Sequence, residues 1–309
     1  MSPPASVTTI PDPSAAPVHP DLRSGGVSRG RRLRDVAATV LMWTALAAAL
    51  IPLAFLVYYV LNKGLGIFSL KFLTKPIPLS QRRRGPGMGP AVLGTLLITA
   101  MATAIAVPLG IFGAVYVVEY GAGNRLARVI RFLGDVMAGV PSIVMGLFIY
   151  TVYVNTVSHR FTGFAGSLAL ACLMLPIVIR STESMLRLVP AELREASYAL
   201  GCSRSRTVLT VVLPAAAAGI TSGCLLAVAR AAGETAPLLF TIGIVTKNNA
   251  NLFHGQNTTL SAQIFTNAQV LLPGPNQRAW GAALTLILLV VVLTILARLV
   301  SSRLTVSAR

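Results

Sequence analysis

Charge is scarce in this sequence. Only 11% of its 309 residues are charged, less than half of the roughly 25% usual in soluble domains. Acidic residues are the rarest, nine against 26 lysines and arginines. So little polar side chain cannot cover the exterior of a water-soluble domain of this length, and that class is excluded. Three cysteines, Cys172, Cys202 and Cys224, form no Cys-x-x-Cys pair, which excludes a disulfide scaffold. Three scattered histidines, His19, His159 and His254, exclude a histidine-rich metal site. No Gly-x4-Gly-Lys-Ser/Thr stretch occurs, so the chain has no loop of that kind to cradle a nucleotide phosphate.

Apolar sequence takes the place of charge. Hydrophobic residues make up 54% of the chain, and the mean hydropathy is +0.73. The formal net charge of +17 would point to nucleic acid in a soluble protein. Here the basic residues punctuate apolar runs, which favours an anionic membrane surface or an anionic substrate, with no nucleic acid. The reading is an all-α integral membrane protein.

Residues 1–35 hold six prolines in the first twenty positions, then Arg23, Arg29, Arg31, Arg32 and Arg34. Such a segment cannot bury a core and is expected to be a disordered cytoplasmic tail. Apolar runs follow at 36–61, 91–118, 132–153, 164–186, 215–243 and 279–297. Each exceeds or approaches the roughly 20 residues that cross the hydrocarbon, which predicts six transmembrane helices. The first run is too long for the core of a cleaved leader, about 7–15 residues, and reads as a retained span. A six-helix domain over 36–299 and a C-terminal tail at 300–309 complete the division. With both termini inside, segments 1–35, 119–131, 187–206 and 298–309 carry fifteen lysines and arginines. Segments 62–90, 154–162 and 244–278 carry nine. The bias places both ends in the cytoplasm, although Arg82, Arg83 and Arg84 fall on the outer side.

Pro108 with Gly110, Pro141, Pro176 and Pro237 interrupt four of these runs. In a membrane, broken helices persist where protein or a water-filled cavity satisfies the freed backbone groups. Four together favour a transporter over a simple anchor; ordinary kinks are the alternative at any one site.

The loop at 187–214 is the most informative stretch. Pro190 suits the first turn of a short helix, Glu192 suits its positive end, and Gly201 suits its left-handed stop. Ala196, Ala199 and Leu200 give it a small apolar face, fit to lie in the interface or to dock into a partner. The pattern Glu195-Ala196-Ser197-x3-Gly201-x9-Val211-x-Leu213-Pro214 resembles, in every spacing, the EAA motif of ATP-binding-cassette importer permeases. Ser197 for the second alanine and Val211 for isoleucine are mild departures. The resemblance implies a type I importer permease fold whose cytoplasmic coupling helix inserts into a groove on an ATPase subunit. Because this chain lacks the phosphate-cradling loop, ATP and magnesium would be held by that separate subunit. The permease itself would be no enzyme and carry no cofactor.

Ionisable residues inside spans cost roughly 2.5–3.5 kcal/mol on insertion scales, and four stand out. Arg180 and Glu183 lie three apart, and Arg230 and Glu234 four apart, each pair on one helix face. Counted from a helix starting near Ala215, Arg230 lies about 22 Å along the fifth span, close to mid-membrane. One reading is two self-neutralising structural pairs. The other is an anion path, since guanidinium binds oxyanions bidentately and stays charged when desolvated. Asp135 is expected to open the third span as an acid at a helix N-terminus. Cys172, Cys224, Met137 and Met145 read as packing residues. The Asn-, Gln- and Thr-rich segment 244–278 reads as solvated or as a contact for an outside partner.

Four strings sharpen the resemblance: Gly87-Met-Gly-Pro-Ala-Val-Leu-Gly-Thr95, Ala138-Gly-Val-Pro-Ser-Ile-Val-Met-Gly-Leu-Phe148, Arg180-x2-Glu183, and Arg230-Ala-Ala-Gly-Glu-Thr-Ala-Pro-Leu238. Over about residues 37–300 the chain resembles permeases of the phosphate-specific transport system, and the last string resembles their A-type subunits. That resemblance implies Arg180, Glu183, Arg230 and Glu234 as the phosphate path. It implies Glu195, Ala196, Ser197, Gly201, Leu213 and Pro214 as the ATPase-coupling residues. It also implies a homologous permease PstC, two copies of the ATPase PstB, and an extracytoplasmic phosphate-binding protein PstS, all at a bacterial plasma membrane. The alternatives are an importer of another oxyanion (molybdate, sulfate or phosphonate), an ion-driven secondary transporter, and a phosphate-sensing scaffold.

Overall fold

The computed structural model describes residues 29–79, 85 and 87–306. The proline-rich tail up to residue 28, the arginines at 82–84 and the last three residues lie outside the described residues. Among those described, every regular element is a helix. The chain divides into two compact units, 1–56 and 57–309.

The first unit holds most of helix α1 (Arg29–Gly64). Helix therefore begins within the segment expected to be a tail. Over residues 30–56 its apolar side chains, among them Leu41, Trp43, Leu50 and Phe55, are all exposed, as befits a surface facing lipid rather than water.

In the second unit, α2 (Leu70–Thr74) leads into α3 (Gly89–Val115), which continues as a π-helical turn, Tyr116–Tyr120. Next come α4 (Arg125–Gly139), α5 (Ser142–Ile149) with its π-helical extension Tyr150–Ser158, and α6 (Gly163–Arg187). The short helices α7 (Ala191–Ala199) and α8 (Arg204–Thr207) precede a π-helical turn, Val208–Val212, and α9 (Leu213–Gly233). Helices α10 (Ala236–Thr241), α11 (Leu260–Ala268) and α12 (Pro273–Val306) complete the order.

Among the described residues, five helical stretches are long and apolar enough to cross a membrane: Gly30–Gly64, Gly89–Tyr120, Gly163–Arg187, Arg204–Gly233 and Pro273–Leu296. The expected third span is not one straight helix. It is the pair Arg125–Gly139 and Ser142–Ser158, bent by 109° at Val140-Pro141, and counting that pair as one span gives six. Pro141 caps α5, and its ring restrains Val140 to extended backbone (ψ 130°), which stops α4. The expected fifth span also ends early. Glu234 adopts an extended conformation as the C-cap of α9, and Pro237 sits in the first turn of α10. By contrast, Pro108 and Pro176 lie inside α3 and α6, which run on through them.

The core forms where small residues let helices approach. Helices α3 and α6 pack along their length, and a Cβ on Gly110 would come within 2.6 Å of Val178. The Ser167 hydroxyl donates to the carbonyl of Ile98, 3.1 Å away, across the same seam. Helix α9 also packs on α6, with Gly219 against Met185 and Gly223 against Ser181. In hydrocarbon such close contact supplies the dispersion energy that water exclusion supplies elsewhere. Segment 244–278 is not simply solvated: α11 and its approach bury Asn257, Thr258, Thr259, Gln263 and Asn267. Asn257 accepts from Gly163 N–H and donates to the Asn249 carbonyl. Gln263 donates to Thr258. Satisfied in this way, the polar side chains tolerate burial.

Candidate functional site

Helical periodicity sets Arg180, Glu183 and Arg187 along one face of α6. Glu183 is almost wholly buried, its side chain 6% exposed. Its Oε1 accepts from Arg131 Nε of α4 at 2.9 Å and from Arg187 Nη2 at 2.8 Å. Its Oε2 lies 3.9 Å from Arg180 Nη1, and Arg180 is ion-paired with Asp135 of α4. Arg180 and Glu183 thus do not form a closed pair. Three arginines share two carboxylates, which leaves one positive charge, and Arg180 is half exposed. Asp135 stands near the C-terminal end of α4, not at the start of a span, and it ion-pairs with Arg180.

Arg230 and Glu234 meet more loosely. Arg230 Nε is 3.6 Å from Glu234 Oε1, and the arginine side chain is 70% exposed against 18% for the glutamate. The helical run begins at Arg204 rather than near Ala215, so Arg230 occupies the last turn of α9. A cation there is favoured by the carbonyls of the helix end. The Glu234 carbonyl accepts from the Ser261 hydroxyl at 2.7 Å, which ties the break to α11.

Two of the strings singled out by sequence come together beside this break. Gly146 of α5 faces α10, where a Cβ would lie 2.5 Å from Pro237 Cα. The string around Gly94 packs against the approach to α11. A Cβ on Gly94 would fall 1.9 Å from the Thr258 carbonyl oxygen, and the Thr95 hydroxyl accepts from Leu260 N–H at 2.9 Å. A cavity of about 670 Å³, lined by Ser181, Met185, Gly219, Gly223, Thr294 and Arg298, touches neither Arg180 nor Arg230. Its walls are mostly small or apolar.

Helix α7 forms as its sequence predicts, capped by Pro190 and with Glu192 in its first turn. Gly201 follows with φ +78°. Glu195 and Ala196 are exposed, and so are Leu193, Tyr198 and Leu200, the last at 85%. Ser197 instead turns inward and shares a 2.8 Å hydrogen bond with Thr207, bracing α7 on α8. Leu213 is half-buried and Pro214 exposed at the start of α9. Sequence reasoning missed Arg131, Arg187 and Asp135 at the α6 cluster, and Glu119 and Arg194 at the base of α7. The signal for α4 was present: Arg125, Arg128, Arg131 and Asp135 recur at helical intervals, the pattern of an amphipathic helix rather than a loop and a span.

Residues 106–306 match the family model described as the binding-protein-dependent transport system inner membrane component. The chain is 41% identical over 307 residues to the phosphate transport system permease protein PstA 1 of Mycobacterium tuberculosis, covering 97% of each chain. It is 43% identical to PstA of Mycobacterium leprae over 85% of this chain and 87% of that one. It is 40% identical to PstA of Yersinia pestis over 88% and 92%. Among solved structures, the inward-facing MetNI methionine ABC transporter aligns at a TM-score of 0.53 with 19% identity, covering 72% of this chain and 94% of that one. An amino acid ABC transporter aligns at 0.51 with 20% identity, over 68% and 90%. These two structures establish the fold, an all-helical type I importer permease. The chain belongs to the binding-protein-dependent transport system inner membrane component family, as a relative of the PstA permeases.

Proposed function

We propose that this chain is a transmembrane permease subunit of an ATP-driven importer of inorganic phosphate. The observation that carries the reading is its kinship, along nearly the whole chain, with proteins named as phosphate transport permeases. The arginine–carboxylate pairs support it chemically. A guanidinium offers a planar fork to phosphate oxygens, and a carboxylate beside it accepts the P–OH of hydrogen phosphate while repelling a fully deprotonated oxyanion. Arg230, loosely held by Glu234, is suited to exchange that partner for a passing anion. Arg180 with Glu183 serves a second station on α6. Molybdate, sulfate and phosphonate are the disfavoured cargoes.

The permease would act beside a homologous permease, two ATPase subunits that bind ATP and magnesium, and an extracytoplasmic binding protein. The exposed α7, through Glu195, Ala196 and Gly201, would seat on an ATPase, while Ser197, Leu213 and Pro214 fix its exit into α9. Both termini would lie in the cytoplasm.

Uptake of radiolabelled phosphate by cells lacking their own high-affinity importer and supplied with the complete complex tests this reading. Saturable uptake that excess phosphate abolishes and sulfate, molybdate and phosphonate leave intact is the expected result. Suppression by one of those anions at equal concentration would reassign the cargo.

A further inference from the structure

The base of α7 is held by a charged clamp that the EAA pattern does not include. Glu119, on the π-helical turn that ends α3, is 5% exposed. Its Oε1 accepts from both Nη2 and Nε of Arg194 of α7, at 2.8 and 3.3 Å. The same guanidinium donates to the carbonyl of Leu186 near the end of α6, at 2.9 Å, and to that of Val189 at 2.7 Å. Arg204, at the start of α8, donates to the Glu119 backbone carbonyl and stacks over the Tyr120 ring with its guanidinium carbon 5.0 Å from the centroid. Apart from this clamp, α7 leans on the Ser197–Thr207 bond, while much of its surface is exposed.

We propose that Glu119 is a positioning residue for energy coupling, the point through which movement of α7 is passed to α3 and α6. The inference rests on the reading of α7 as the ATPase-docking helix. A buried carboxylate holding an arginine that also caps the end of α6 fastens three elements at one atom. A shift of α7 must drag the end of α6, and with it the face bearing Glu183 and Arg180, or break charge-assisted bonds that are costly to lose away from water. Arg204 and Tyr120 stiffen the same turn, so the load reaches α3 as well.

The test uses the complete complex in proteoliposomes, with phosphate uptake and ATP hydrolysis measured together in the presence of the binding protein. Glu119→Gln keeps the size of the side chain and removes its charge. The expected result is normal co-purification with the ATPase, ATP hydrolysis within twofold of wild type, and at least a tenfold rise in ATP consumed per phosphate carried. A role in folding alone would lower the yield of complex and scale uptake and hydrolysis together; that outcome, or an unchanged ratio, overturns the proposal. If Glu119→Gln does not assemble, Glu119→Asp decides: a raised ratio supports the proposal and a wild-type ratio overturns it. Failure of both variants to assemble confines Glu119 to folding and overturns it as well. Absence of phosphate uptake by the unaltered complex would strike the functional reading itself, which keeps the two failures apart.

Discussion

Gly201 occupies open space at φ +78°, with no atom within 4 Å of where a Cβ would stand. A side chain there meets no neighbour, so any penalty comes from the backbone. That penalty is about 1–2 kcal/mol for an L-residue in the left-handed region and is worst for a β-branched one. Gly201→Val is therefore expected to shift the end of α7 and abolish phosphate uptake while the complex still assembles. Gly201→Asn, which tolerates this conformation, should retain most of the activity. Wild-type uptake and phosphate-stimulated ATP hydrolysis in Gly201→Val would remove Gly201 from coupling. Gly94 is the opposite case, glycine for want of room. A Cβ there would overlap the Thr258 carbonyl at 1.9 Å, so Gly94→Ala must push α3 away from the approach to α11. The expected cost is roughly 1–3 kcal/mol, read as a lower unfolding temperature of the purified complex.

Among the elements, α4 and α6 are joined by charge at two places, Arg131 with Glu183 and Asp135 with Arg180, and Glu183 is the buried one. Replacing it with glutamine leaves Arg131, Arg180 and Arg187 facing one another with Asp135 the remaining carboxylate in the cluster. Losing one partner of a fully buried pair costs about 3–5 kcal/mol. The arginines here are one-third to more than half exposed, so roughly 1–3 kcal/mol is the expected loss in Glu183→Gln. If the carboxylate also screens the cargo, the variant should admit sulfate as a competitor of phosphate uptake. Unchanged sulfate exclusion would limit Glu183 to holding the helices together.

The elements also mark what sequence can reveal. Helices α3, α6, α9 and α12 were legible because hydropathy and length suffice to declare a span. Pro141 marked the break in the third run, but its 109° angle was not legible, because an apolar run looks the same however sharply the helix turns. Helix α11 was hidden for a related reason: Asn257, Thr258 and Gln263 read as solvated until their hydrogen-bond partners, distant in sequence, are known. At the site, Arg180, Glu183, Arg230 and Glu234 stood out as charges inside apolar runs. Arg131 and Glu119 did not, since a charge near the edge of a run looks like ordinary loop, and Asp135 read as a helix-start acid rather than as the partner of Arg180. Their partners on α6 and α7 lie 45 to 75 residues further along.

At the scale of the whole molecule, the proposal that α7 and both termini face the cytoplasm rests on the basic bias of segments 1–35, 119–131, 187–206 and 298–309. Alkaline phosphatase fused after Arg309 should then be inactive, and the same reporter inserted at Gly255 should be active. The reverse pattern would put α7 outside, beyond reach of any cytoplasmic ATPase.

The account as a whole depends on Arg230 meeting phosphate in transit rather than serving Glu234. Lysine would keep the charge but lose the fork, so Arg230→Lys should impair uptake in a complex that assembles normally. The measurement that separates the two roles is phosphate uptake by the double variant Arg230→Gln, Glu234→Gln, with assembly verified by co-purification. A residue needed only to neutralise Glu234 becomes dispensable once both charges are gone. A residue whose charge holds a doubly charged oxyanion does not. The account predicts that uptake stays abolished in the assembled double variant. Recovery to near the wild-type rate would contradict it.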